Sequence, residues 1–118
     1  MTTDILIIGA GPAGIFTALE LRRQGYKGSI ILCEKGRSVE KRHCPKAETG
    51  RCMNCKPYCH ITTGFSGAGA FSDGKLSLSA DVGGDLPTLV GADLVQDTIA
   101  YADSIYLEFG ADTHVEGI

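Results

Sequence analysis

A chain of 118 residues that is 43% hydrophobic and 21% charged is long enough for one modest core, and its make-up excludes a disordered polyelectrolyte and a membrane span. The net charge of −3 is divided: up to Lys75, eleven Lys and Arg stand against six acids, a net of +5, and the rest holds eight acids with no Lys or Arg. No basic run interleaved with aromatic residues occurs, which argues against nucleic acid and leaves anionic cofactor phosphates as the partner of the basic part; the acidic part reads as a solvated helix face.

The start, Met1-Thr2-Thr3-Asp4, has no basic segment, and the apolar run after it reaches glycine too soon for a signal peptide. A cytoplasmic protein is expected, in which five cysteines read as metal ligands, redox groups or core thiols before structural disulfides. Residues 4–8 predict a strand buried on both faces, because Ile5 to Ile8 is a continuous apolar run. It leads into Gly9-Ala10-Gly11-Pro12-Ala13-Gly14, the G-x-G-x-x-G spacing. Gly9 allows the tight turn out of the strand, Gly11 removes a side chain that would block a pyrophosphate, and Gly14 lets the helix pack close to the sheet. Pro12 and Ala13 open the helix, where a missing N–H costs nothing and the remaining backbone N–H groups and the dipole favour an anion.

The helix is predicted from Pro12 to about Gln24, with Ile15 and Leu19 on one line and Phe16 and Ala18 beside it; Gly25 stops it. Tyr26-Lys27-Gly28 turns the chain into a second strand over 29–34, in which Cys33 reads as a small buried hydrophobe. Glu34 stands twenty positions after Gly14, the separation that brings a carboxylate to the ribose hydroxyls of the adenosine. A carboxylate there also repels a 2′-phosphate, so the expected ligand is FAD or NAD and not NADP.

Past Glu34 the periodicity ends. Ser38 is a candidate cap for a short helix through Arg42, and after Cys44-Pro45 neither period is present. A loop of this length in a compact domain is functional, disordered or held by something else. Cys44, Cys52, Cys55 and Cys59 lie in this 38–63 insertion as C-x7-C-x2-C-x3-C, with His60 as a fifth candidate ligand. Four thiolates in a tetrahedron suit Zn²⁺; iron–sulfur ligation, a redox C-x-x-C pair beside a flavin, and plain solvent-facing thiols are the other readings. His43 and His114 lack such a setting and read as ordinary solvated or core residues. Gly64-Phe65-Ser66-Gly67-Ala68-Gly69-Ala70-Phe71-Ser72-Asp73-Gly74-Lys75-Leu76 follows, a loop over 64–76 whose glycines admit a flat or charged ligand close to the backbone. Its phenylalanines and Ala70 argue against a flexible linker. From about Ala92 to Phe109 the residues Val95, Ile99, Ala102, Tyr106 and Phe109 predict an amphipathic helix, widened by Leu94, Tyr101 and Ile105 and closed by Gly110, with Thr113–Glu116 as the start of another strand.

The glycine fingerprint with Glu34, the Cys44-Pro45 and Cys52-x-x-Cys55 insertion, and above all the Ser72-Asp73-Gly74-Lys75-Leu76 stretch resemble a family of FAD-dependent dehydrogenases of bacteria and archaea, also described as NAD(P)/FAD-dependent oxidoreductases. The resemblance implies an α/β, Rossmann-like FAD/NAD(P)-binding βαβ domain within a flavoprotein of two dinucleotide-binding domains. It places Gly9, Gly11 and Gly14 on the pyrophosphate, Glu34 on the ribose, and the loop carrying Gly67, Ala68, Gly69, Asp73 and Gly74 near the flavin. Lys35 and Arg37 become candidates to border the adenine or phosphates. Members of that family are several times longer and complete their FAD site with a later Gly-Asp segment, so residues 1–118 are expected to be the N-terminal part of such a domain, inactive alone, with any NAD(H) co-substrate bound elsewhere. On this reading the flavin carries electrons or hydride and no catalytic side chain is nominated. Two other readings stay open, a nucleotide-binding redox sensor without turnover and a zinc-stabilised interaction protein.

Overall fold

The computed structural model describes residues 1–117. They form two compact units, Met1–Gly74 and a second that begins at Lys75.

The first unit is built on β1 (Ile5–Ile8) and β2 (Ile30–Cys33), which pair in parallel with Ile5 opposite Ile30 and Ile8 opposite Cys33. Parallel neighbours need a crossover, and α1 (Pro12–Arg23) provides it. At the start of the strands the Asp4 carboxylate accepts from the Ser29 N–H (2.7 Å) and the Ser29 hydroxyl (3.0 Å). These bonds hold the Asp4 carboxyl below its ordinary pKa. At the other end the Gly9 N–H donates to the Cys33 carbonyl (2.7 Å), carrying the ladder one rung into the turn. The helix stops where expected: Gln24 caps it and Gly25 takes φ +85°, which favours glycine. Arg22 donates to the carbonyls of Tyr26 and Gly28 and closes the return to β2.

Two expectations are corrected here. The first strand is covered on one face only: Ile5 and Ile7 are half-buried, whereas Leu6 and Ile8 are exposed. With α1 on one side of a two-stranded sheet, alternate side chains of a continuous apolar run meet solvent. Cys33 is likewise exposed, because it ends β2 opposite the exposed Ile8.

Beyond β2, Ser38 precedes a single 3₁₀ turn, Val39–Lys41, without a side-chain cap, and the turn ends at Arg42. Two elements were not legible as periodicity: α2 (Lys46–Thr49), closed by Gly50 at φ +75°, and a 3₁₀ segment over Gly67–Phe71 inside the glycine-rich loop.

The second unit is helical. A short α3 (Leu86–Val90) packs on α4 (Ala92–Glu108), which lies where the hydrophobic spacing puts it. Val95 and Ile105 are buried, Ile99 and Ala102 half-buried, and Tyr106 and Phe109 exposed. The strand expected at Thr113–Glu116 is not formed; the His114 N–H instead donates to the Asp112 carboxylate (2.9 Å), a local turn that competes with extended pairing. Among the described residues no helix is long and apolar enough to cross a membrane.

Candidate functional site

The glycine turn has the geometry its spacing requires. Gly9 sits at φ +100°, and a Cβ on Gly14 would overlap the Gly9 carbonyl oxygen, so helix and turn are as close as backbone allows. At Gly11 the reverse holds: its backbone is extended (φ −75°) and a Cβ would meet nothing within 4 Å. A side chain there suits the fold, and the open space above the turn is what its absence preserves. Gly11 caps α1 with no side-chain hydrogen bond, so the first N–H groups, at Ala13 and Gly14, have no partner within the helix. Turn and helix start thus fit an anionic pyrophosphate.

Glu34 follows β2 and is tied to the turn. Its Oε2 accepts from the Ala10 N–H (2.9 Å) and its Oε1 from the Gly36 N–H (2.7 Å). These two backbone donors hold its carboxyl below the ordinary glutamate pKa, Gly36 contributing most and Lys35 adding a smaller attraction. Each oxygen keeps a further lone pair for a hydroxyl.

The glycine-rich loop lies against the same turn. The Ser66 N–H donates to the Ala10 carbonyl (2.7 Å), and a Cβ on Gly67 would stand 3.5 Å from Pro12 Cδ and 3.6 Å from Gly11 Cα. Ala10 is therefore bonded on both sides, to Glu34 through its N–H and to Ser66 through its carbonyl, and it is fully buried. Farther along, the Ser72 hydroxyl donates to the Gly69 carbonyl and accepts from the Gly74 N–H, both at 3.1 Å. Ala68, Gly69, Asp73 and Gly74 are exposed.

Lys35 and Arg37 follow Glu34 in the segment after β2. The Lys35 ammonium lies 5.9 Å from the centre of the Tyr58 ring. The Arg37 backbone bridges Gly64 in parallel and accepts from the Phe65 N–H (3.2 Å).

Sequence reasoning missed Arg42. Its guanidinium is buried and donates to the carbonyls of Phe65 (2.8 Å), Gly67 (2.7 Å) and Ile61, with its centre 4.7 Å from the Phe71 ring centre. Among the described residues no carboxylate pairs with it, and its Nε has no hydrogen-bond partner. Gly64 is required beneath it, since a Cβ there would run into Arg42 Cδ and the Arg37 carbonyl. The available signal was a lone arginine between a 3₁₀ turn and a cysteine loop, which carries no pattern of its own.

Cys44, Cys52, Cys55 and Cys59 border one cavity of about 430 Å³, together with His60 and Ile61. All are free thiols. Among the described residues no three of these groups come together as a coordination shell. The Cys59 thiol is held below its ordinary pKa by the Thr62 hydroxyl and N–H and the Ile61 N–H, with the Arg42 charge adding to this. His60 Nε2 lies 3.1 Å from the Lys56 carbonyl, and His43 pairs with Glu48 (2.7 Å) in the open.

Strand, glycine turn, helix, strand and acid define a Rossmann-like dinucleotide-binding βαβ unit. The chain belongs to the FAD-dependent oxidoreductase family, whose model matches residues 4–80. Among relatives, 72 residues are 43% identical to an uncharacterized protein of Clostridium beijerinckii, covering 61% of this chain and 13% of that one. A flavin-dependent halogenase of Armillaria mellea is 38% identical over 60 residues, 49% of this chain and 10% of the relative. Apoptosis-inducing factor 3 of Mus musculus is 34% identical over 58 residues, 48% of this chain and 9% of the relative. The aligned segment thus spans about an eighth or less of each of these relatives. No solved structure matches the chain at a significant level.

Proposed function

We propose that this chain supplies the adenine-dinucleotide half of an FAD site in a flavin-dependent dehydrogenase with a second dinucleotide-binding domain. The observation that supports this most is the meeting of three separate stretches at Ala10: the fingerprint turn, the Glu34 carboxylate and the glycine-rich loop. The N–H groups of the first turn of α1 receive the pyrophosphate over the open face of Gly11. Glu34, already anchored by two backbone donors, offers its remaining lone pairs to the ribose hydroxyls and repels a 2′-phosphate. Gly67–Gly74 borders the flavin end, and the bound FAD supplies hydride or electron transfer. The likeness to a flavin-dependent halogenase supports a flavin site at this position and says nothing of the substrate.

Gly11→Val tests the reading, because its Cβ meets no protein atom within 4 Å and its φ is ordinary, so the fold tolerates it while the branched side chain fills the phosphate position. Expected is unchanged thermal stability with FAD affinity reduced at least tenfold, read by quenching of flavin fluorescence. NADP binding tighter than FAD or NAD, or FAD binding indifferent to Gly11→Val, would refute the proposal.

A further inference from the structure

The cysteine loop supplies none of the contacts at Ala10, yet it gathers four sulfurs around one cavity and adjoins the buried arginine that grips the glycine-rich loop. We propose that Cys44, Cys52, Cys55 and Cys59 form a structural zinc site, assembled when the metal binds. Three observations carry it.

The first is placement. Sulfurs spread over sixteen residues all border the same cavity of about 430 Å³, while Cys33 lies apart on β2. Among the described residues no three of these thiols stand as a ready-made shell, so the metal itself has to gather them. Zn–S bonds of about 2.3 Å in a tetrahedron would draw them inward. The C-x2-C turn gives two ligands from one bend, and Cys44 and Cys59 close the set from either side. His60 falls outside it, with its ring nitrogen against the Lys56 carbonyl.

The second is charge. From Lys35 to Ile61 stand seven Lys and Arg against two acids, and the buried Arg42 has, among the described residues, no carboxylate partner and an unpartnered Nε. An unpaired buried cation is costly. A zinc tetrathiolate carries a charge of −2, the sign this segment lacks. The third is continuity: Ile61 borders the cavity, and its carbonyl is one of the three that Arg42 grips. Ordering the cysteine loop therefore orders the segment that leads to Gly64 and Gly67. The binding step is an exchange at sulfur, in which each Zn–S bond replaces an S–H bond and the thiol protons leave to solvent.

The test needs no flavin, so its outcome is separate from that of the FAD reading. The full chain, produced in zinc-supplemented medium and purified anaerobically without chelator, is expected to hold about one zinc per chain by mass spectrometry. Cys33→Ser is expected to keep it, and Cys52→Ser and Cys55→Ser to lose it. Replacement by Co²⁺ should give the thiolate-to-cobalt charge-transfer band of a tetrahedral site. For the wild type alone, whatever the variants' solubility, alkylation should reach one of the five thiols with zinc bound and all five after chelation. Zinc at background in the wild type, iron in its place, five alkylated thiols before chelation, or equal zinc loss in Cys33→Ser would each overturn the assignment.

Discussion

The glycine turn at 9–14 and the glycine-rich loop at 64–74 touch each other and are held by opposite means. The turn is fixed from several directions by its own backbone: the Gly9 N–H on Cys33, the Ala10 N–H on Glu34, and Gly14 packed against the Gly9 carbonyl. The loop is tied by backbone at Arg37 and is otherwise gripped chiefly by one side chain. Arg42 bonds three carbonyls, stacks by Phe71 and fills the space over Gly64, while the loop's own contacts with the turn are one hydrogen bond from Ser66 and the seat of Gly67. One wall of the proposed site is built by shape and the other leans on a buried charge, so they should fail differently.

The sharpest way to break that comparison is Arg42→Ala. It leaves three carbonyls without their donor and opens a cavity beneath the loop, an expected loss of about 3–5 kcal/mol in urea unfolding. Arg42→Lys keeps the charge but not the fork that reaches three acceptors, and should fall between the two. If Arg42→Ala costs no more than an exposed substitution, the loop has another anchor and the contrast fails.

On the other wall, Gly14→Ala should cost about 2–3 kcal/mol, because the added methyl overlaps backbone that cannot swing away. Gly11→Ala, three residues earlier, is expected to leave stability within about 0.5 kcal/mol. Equal losses at the two positions would mean that the turn does not discriminate between packing and open space.

This contrast also marks what the sequence could disclose. Ile5 to Glu34 was legible almost to the residue because each signal there is local: a β-branched run, glycines at fixed offsets, a helix ended by Gly25, an acid at the right distance. The grip of Arg42 was not, since its partners lie 19 to 25 positions away and are main-chain carbonyls, which any residue type offers. The short helices Lys46–Thr49 and Leu86–Val90 escaped for want of length, as four or five residues show no period. Leu6 and Ile8 were misplaced for a related reason. An apolar run states that a strand can be buried on both faces, and the neighbours that would do so are not written in the run.

Glu34→Gln sharpens the comparison at the point where both walls meet. The amide keeps one acceptor and turns a donor toward the second N–H, for an expected cost of about 1–2 kcal/mol at neutral pH. Because the folded-state pKa of Glu34 lies below its ordinary value of 4.5, its contribution is complete above that value and is lost as pH falls through the lowered one. Wild type and Glu34→Gln should therefore converge in acid. The Asp4 carboxyl, lowered by Ser29, is common to both proteins and cancels in the difference. A gap between the two proteins that persists unchanged below that window would place the effect of Glu34 in packing and not in charge.

The smallest expected effect lies at the contact between loop and turn. Ser66 adopts φ +70° with no capping bond from its hydroxyl, a conformation that costs a residue with a Cβ about 1 kcal/mol. Ser66→Gly removes that cost and keeps the N–H that donates to Ala10, while the freer unfolded chain takes back about half of the gain. A net stabilisation of about 0.5 kcal/mol is expected by chemical unfolding, with FAD affinity unchanged. Strain held at this residue is affordable only because Arg42 grips the carbonyls on either side, at Phe65 and Gly67. Combined with Arg42→Ala, then, Ser66→Gly should lose its benefit, because a loop that is no longer gripped can relax Ser66 without help; full additivity would show that the turn alone sets the backbone there.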